Sequence, residues 1–302
     1  MNDYQLSRKR YFDEAVAGTG FQSDEPLTAN FKIPSHLYIQ LQNHVSEYLS
    51  ASAGISDWSN IDSDQLLGEV LKKAKNLSTS GIVIPKSYCD QKFTQVHKLI
   101  ADILTLSSIS NVVDFWIYPF NVRLKGVDKT AKSLSYPTEL PHSETWVGCS
   151  ARSVLLHIPV LGDMEGNRLK VWRPNHEMGV EWMKPLGSYH DANALIVNSR
   201  ELPVTSASGT ILMVDSSLLH GTHRAENAGL RVSIDLNLVL KSYPEDVFPD
   251  SYNLLADRQK VSNQNFFEIG KSLRVQSPDG EDDIFLPVDG MRHPANIKIT
   301  KI

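Results

Sequence analysis

Val112-Val113-Asp114-Phe115-Trp116-Ile117-Tyr118-Pro119-Phe120-Asn121-Val122-Arg123-Leu124 marks the point where the chain changes texture. Phe115, Ile117, Phe120, Val122 and Leu124 make it rich in aromatic and β-branched residues, so it predicts a strand. Upstream, three stretches show helical spacing. Pro34-Ser35 opens the first, with Tyr38, Leu41, Val45 and Tyr48 three to four residues apart. Ser63-Asp64 caps the second, which carries Leu66, Leu67, Val70, Leu71 and Ala74. The third runs from Asp90 to Leu106, and between the last two Gly81–Pro85 reads as an edge strand. Downstream, Ser153–Val160, Leu169–Trp172, Ala194–Val197, Thr210–Val214 and Arg231–Leu240 are further strand candidates, separated by glycine, proline and Asx turns. Short strands joined by irregular loops imply a β-sandwich or jelly roll, with the helices packed on one outer face.

Residues 1–30 lack periodicity and read as a loose arm or a partly ordered entry segment. From Ser242 the signal weakens; Ser277-Pro278-Asp279-Gly280 is a turn, and 242–302 reads as an irregular extension packed on the same domain. The expected organisation is a single catalytic domain over 31–241, with a helical flank at 31–108 and the β core at 109–241.

The net charge of −5 lacks the basic excess of a general nucleic-acid binder. Lys72-Lys73-Ala74-Lys75 reads as a solvated helix face. Two cysteines, Cys89 and Cys149, are too few for a disulfide framework and suit reduced thiols in the cytoplasm. Ser7-Arg8-Lys9-Arg10 is followed by Tyr11-Phe12-Asp13-Glu14 instead of an apolar run, unlike a secretory signal. No stretch of about 18 apolar residues suggests a membrane span.

Two short motifs carry chemistry. In Pro141-His142-Ser143-Glu144-Thr145-Trp146, an extended backbone would point His142 and Glu144 to the same side, where both can reach one metal ion. By itself the match decides nothing, because 10 histidines and 35 acidic residues give about one chance His-x-acid match in a chain this long. In Asp215-Ser216-Ser217-Leu218-Leu219-His220-Gly221-Thr222, His220 would complete a two-histidine, one-carboxylate set. Such a set leaves adjacent positions open and suits non-haem Fe(II) that binds a co-substrate and O2 together. Its rival His223 is followed by Arg224 and reads as loop. Arg231 and Ser233 lie two residues apart, so both can face inward from one strand.

The order His142-x-Glu144, His220-Gly221-Thr222, Arg231-x-Ser233 resembles the double-stranded β-helix core of the 2-oxoglutarate/Fe(II)-dependent oxygenases. Pro141–Pro159 and Asp215–Leu236 are similar to the phytanoyl-CoA-hydroxylase-like and streptomycin-biosynthesis-type bacterial members. The resemblance covers about residues 110–240. It implies Fe(II) on His142, Glu144 and His220, with 2-oxoglutarate chelating the metal and O2 as the oxidant. Arg231 and Ser233 would hold the distal carboxylate. The implied reaction hydroxylates a small molecule (a metabolite, sugar derivative or antibiotic precursor) and releases succinate and CO2. Aspartate is usual where this chain has Glu144; both acids supply an anionic oxygen, and a carboxylate there argues against a halogenase.

Asn121 and Arg123 are candidates for contacting the co-substrate, although a structural ion pair is an equal reading for Arg123. Trp146, Trp172 and Arg173 are candidates for the substrate pocket, with a core role open for Trp146. His157 reads as core-facing or as support for the site, His176 and His190 as part of a polar insert from Pro174 to Asp191 that related folds use as a lid. Two other functions remain open: a cupin-type metalloenzyme not using 2-oxoglutarate, and a metal-free β-sandwich module that stacks carbohydrate on Trp146 and Trp172. Oligomeric state is not legible.

Overall fold

The computed structural model describes residues 3–78, 80–126, 138–175, 179–192, 197–204, 206–243, 260–276, 286–288, 291–293 and 298–302. The strand expected at Ala194–Val197 falls mostly outside them, as do His176 and the Ser277–Gly280 turn.

The N terminus is more ordered than expected. The segment read as a loose arm or a partly ordered entry segment forms helix α1, Asp3–Ala17, followed by strands β1, Gln22–Ser23, and β2, Thr28–Lys32. Helix α1 has little amphipathic pattern, which is why its order is hidden in the sequence. It buries Phe12, Ala15 and Val16, but also the whole of Arg8. That guanidinium is bound to Asp215, with Nη2 2.9 Å from each carboxylate oxygen. A distant partner, not local periodicity, fixes this helix.

The three helices with clear spacing form as expected: α2, Ser35–Ala53; α3, Ser63–Lys73; and α4, Asp90–Leu106. The cap of α3 is one residue earlier than expected, since the Asp62 side chain accepts a 2.8 Å bond from the Gln65 amide. The lysines of its last turn pair with Glu69 on a solvated face. Gly81–Pro85 contains β3, Ile82–Val83, which pairs with β4, Val113–Lys125.

The remaining strands are β5, Ser153–Gly162; β6, Asn167–Pro174; β7, Ser199–Glu201; β8, Thr210–Asp215; β9, Leu219–Arg224; and β10, Arg231–Leu240. In the C-terminal segment β11, Lys260–Ser262, is followed by α5, Asn263–Glu268, and β12, Leu273–Gln276. Two short hairpin partners, β13 at Leu286–Val288 and β14 at Met291–His293, precede β15 at Lys298–Lys301, which pairs with β12. The large sheet is antiparallel in the order β1-β2-β8-β5-β10-β4-β11, with β3 also on β4; the small one is β7-β6-β9. The architecture is mainly antiparallel β with flanking helices. The chain leaves the large sheet after β5, returns at β8, leaves for β9 and returns at β10.

Strand alternation divides the two faces of the large sheet. On β4, Trp116, Tyr118 and Phe120 point toward the helices, where Phe120 stacks on Phe93 of α4 with centroids 4.6 Å apart. Trp116 stacks on Phe266 of α5 at 3.9 Å, so the C-terminal segment is built onto this sheet instead of trailing from it. The odd-numbered residues from Ile117 to Lys125 face the other way, toward the small sheet.

His97 of α4 lies in this aromatic layer, fully buried. Its Nε2 donates to the Phe266 carbonyl at 2.7 Å, and Nδ1 has no partner. Burial pushes its pKa down to about 4. Between pH 6.5 and 4 the unfolded chain therefore binds a proton that the folded chain excludes. Stability is full above about pH 6.5 and falls as the pH drops toward 4. The shift corresponds to about 3 kcal/mol. Urea unfolding at pH 7 and pH 4 should show His97→Gln losing about that much less than the parent across the interval. Parallel curves for the two proteins would refute the assignment.

Candidate metal centre

Three sequence elements converge between the sheets. His142 forms an isolated bridge with His220 of β9, each amide donating to the other's carbonyl at 2.9 Å. Paired residues of an antiparallel bridge share a face, so both imidazoles point inward. Gly221 lets the two segments come this close: a Cβ there would stand 3.0 Å from the carbonyl oxygens of both Glu139 and Leu140. The expected extended geometry runs only as far as Ser143. Glu144 is the first residue of a 3-10 turn, Glu144–Val147, capped by the Ser143 hydroxyl.

The result is one carboxylate between two imidazoles. His220 Nε2 is 3.0 Å from Glu144 Oε1, and His142 Nε2 is 4.0 Å from the same oxygen. One ligating atom from each of the three residues lies within 4.8 Å of the other two, the only such group among the described residues. His142 Nδ1 donates to the Leu140 carbonyl at 2.7 Å, which leaves the Nε2 lone pair directed at the centre. Burial, followed by the neighbouring His220, pushes His142 down to about 3. Burial works against a charged Glu144, but the hydrogen bond and charge of His220 outweigh it and hold the carboxyl at about 2. A neutral imidazole and an ionised carboxylate are the forms that bind a divalent metal, so these residues fit one. His223 points outward and is exposed.

Residues the sequence reading passed over support this group. Asn237 of β10 donates from Nδ2 to Glu144 Oε2 at 2.9 Å, and the Cys149 thiol lies 3.8 Å from the same oxygen. Tyr189, in a 3-10 turn at Tyr189–Ala192, stacks on the His142 ring at 4.3 Å. The Pro174–Asp191 insert thus meets a candidate ligand through Tyr189, whereas His190 is exposed.

Arg231 begins β10 and is 2% exposed. Its Nη1 donates to the Asn167 carbonyl of β6 at 2.6 Å and Nη2 to Ser233 Oγ at 3.4 Å, while Nε has no partner. No carboxylate pairs with it among the described residues. Burial drives its pKa down to about 10, against the more distant charge of Asp235. Arg123 behaves differently. Its Nε donates to Asp235 Oδ2 at 3.1 Å, and Asp235 Oδ1 accepts from His157 Nδ1 at 2.6 Å. The structural ion pair is therefore the reading that holds for Arg123, in place of a free co-substrate contact. Asn121 opposes Asp235 on the same inward face and is half-buried. His157 is neutral, its pKa lowered by burial, and its Nε2 is buried without a partner.

Trp146 is fully buried, its Nε1 donating to the Trp182 carbonyl at 2.8 Å, which agrees with the core role left open for it. Trp172 opposes Leu219, the neighbour of His220, and so lies on the outer face of the small sheet. Arg173, one residue further, shares the inner face with Val171 and His220.

No protein-family model and no curated protein matches the chain. Solved structures do. An N-substituted L-amino acid dioxygenase from Burkholderia ambifaria AMMD aligns with 79% of this chain and 89% of its own, at 13% identity and a TM-score of 0.42. SnoK, a non-heme α-ketoglutarate-dependent carbocyclase from nogalamycin biosynthesis, aligns over 76% and 83%, at 12% identity and a TM-score of 0.42. ThoJ, a non-heme monooxygenase in a nickel complex, aligns over 76% and 77%, at 11% identity and a TM-score of 0.38. Each is named as an oxygenase or as an α-ketoglutarate-dependent enzyme. No helix among the described residues is long and apolar enough to cross a membrane.

Proposed function

We propose that the chain is a non-haem Fe(II)/2-oxoglutarate-dependent oxygenase that hydroxylates a small molecule in the cytoplasm, releasing succinate and CO2. The observation that carries this reading is Arg231. A guanidinium buried to 2% exposure with no carboxylate partner is costly unless an anion joins it. It opens the strand whose Asn237 holds Glu144, and His157 senses the charges of both Arg231 and His220. A dicarboxylate that reaches from the metal group toward Arg231 would neutralise that charge. A cupin-type metalloenzyme without 2-oxoglutarate has no use for such a cation, and a carbohydrate module would need Trp146 exposed.

The strand path supports a double-stranded β-helix core: the chain passes repeatedly between two antiparallel sheets, and the candidate ligands line the space between them. In this reading the catalytic domain spans 31–241, with α1 and the described part of the C-terminal segment packed on it.

His142, Glu144 and His220 would hold the iron, which with 2-oxoglutarate supplies O2-dependent oxidative decarboxylation coupled to C–H oxidation. The protein's own part is positional. Arg231 holds the distal carboxylate through two N–H groups, with Ser233 beside it. Asn237 fixes the rotamer of Glu144, and Tyr189 that of His142.

Anaerobic addition of Fe(II) and then 2-oxoglutarate should give a weak visible charge-transfer band. Arg231→Met should weaken 2-oxoglutarate binding by roughly a hundredfold or more while iron content stays unchanged, as expected for loss of a buried charge pair. Absence of the band, or a binding curve that Arg231→Met leaves in place, would sink the proposal.

A further inference from the structure

The inner face of the small sheet carries a second pair of cations on the far side of the candidate metal group. Arg173 of β6 directly opposes Arg200 of β7 in antiparallel register. Arg173 is partly buried and Arg200 exposed. Neither guanidinium has a hydrogen-bond or ion-pair partner among the described residues. Like charges placed directly across a strand pair destabilise it. On the outer face of the same strands the charges are matched instead, with Lys170 Nζ 3.1 Å from Glu201 Oε2. Among the described residues, charge is thus balanced on one face and unbalanced on the other.

Position along β6 gives the unbalanced pair a meaning. Asn167, whose carbonyl accepts from Arg231, lies at one end of the strand. Val171, opposite His220, marks the level of the metal group. Arg173 lies two residues beyond, about 7 Å further along the strand. Moving along the strand, the order is the Arg231 cation, the His220 level, then Arg173 with Arg200. If 2-oxoglutarate fills the Arg231 side, the other side is left for the substrate.

We propose that Arg173 and Arg200 form an anion-binding subsite that receives an acidic group of the substrate, a carboxylate, sulfate or phosphate. Two guanidinium forks side by side can donate at least four N–H bonds to such a group. Anion capture there would also relieve the like-charge repulsion, and it would fix the substrate by its charged end so that a C–H bond near the acidic group lies over the iron. The word substrate rests on the oxygenase reading; the subsite does not.

Isothermal titration with inorganic phosphate at low ionic strength tests it, using the metal-free protein and the protein loaded anaerobically with Fe(II) and 2-oxoglutarate. Phosphate should bind both forms. Arg173→Gln and Arg200→Gln should each weaken binding tenfold or more, Arg173→Lys less, and Arg231→Met should leave binding to the metal-free form in place. The Tm of Arg200→Gln should be unchanged or higher, because a repulsion has been removed. No phosphate binding, binding indifferent to both glutamine variants, loss through Arg231→Met alone, or a lowered Tm for Arg200→Gln would each overturn the proposal. In the loaded protein, acidic small molecules (carboxylates, sulfate esters or phosphate esters) should stimulate 2-oxoglutarate consumption, the effective class identifying the group bound. Stimulation by neutral compounds only would overturn the substrate assignment. Phosphate binding as expected, without any charge-transfer band, would remove the oxygenase reading and keep the anion subsite.

Discussion

Glu144→Ala is expected to lower iron(II) affinity by more than about a hundredfold and to abolish 2-oxoglutarate turnover, since loss of an outer partner of a metal ligand alone costs about 10–100-fold. Glu144 is the only anionic member of the group, and its carboxylate lies between both imidazoles. Without it the centre keeps only two imidazole nitrogens, too weak a set for Fe(II). Graded variants separate ligation from folding. Asn237→Leu keeps the carboxylate but removes the 2.9 Å bond to Oε2, so affinity should fall by about 10–100-fold while turnover persists at saturating iron. Glu144→Asp shortens the side chain by one methylene and draws the carboxylate away from Asn237, so it should fall between the two. The measurements are iron retained per chain after desalting and the charge-transfer band. Wild-type iron content and turnover in Glu144→Ala would show that these residues do not form the metal site.

How much of this was open to sequence reading differs by residue. Helices α3 and α4 declare themselves because their burial is periodic, and the two inner faces of the large sheet are nearly as plain. In β10, Arg231, Ser233, Asp235 and Asn237 alternate with Val232, Ile234, Leu236 and Leu238. The same polar parity recurs at Asn121, Arg123 and Lys125 of β4. Carrying the alternation two steps beyond Ser233 would have reached Asp235 and Asn237, so those residues were legible and missed. It would also have assigned Arg123 its partner, since Ser233 opposes Arg123 and Asp235 is the next inward residue. Other features had no local signal. Tyr189 meets His142 only through tertiary packing, and Trp146 reads alike as a pocket wall and as core. Helix α1 is the clearest case, because what orders it is a residue more than two hundred positions away.

Arg8→Met is accordingly expected to cost about 3–5 kcal/mol of stability, the range for leaving one member of a buried ion pair alone. Both partners are fully buried. Arg8 Nε and Nη2 donate to Asp215 at 2.9–3.1 Å, Nη1 donates to the Ala151 carbonyl at 2.7 Å, and Tyr243 donates its hydroxyl to Asp215 Oδ2 at 2.7 Å. Burial opposes the charge on Arg8, but Asp215 together with Tyr4 and Tyr243 outweighs it and holds the guanidinium pKa above its ordinary value. Methionine fills much of the same volume yet supplies none of these donors, so among the described residues Asp215 would be left with Tyr243 and the Ser217 amide and hydroxyl. Urea unfolding should place the loss in that range, and adding Asp215→Asn to Arg8→Met should recover part of it, since a neutral amide needs no counter-ion. An additive double variant would show that the pair is not coupled. The cost should also reach the metal centre. Asp215 holds the turn that leads into β9 and His220, and the Ser216 carbonyl in that turn accepts from Ser143, the residue between His142 and Glu144. Freed from Arg8, the turn loses its fixed end, and Arg8→Met should retain iron less well even at temperatures where it remains folded. Arg10→Met, two residues from it and exposed, should change neither property.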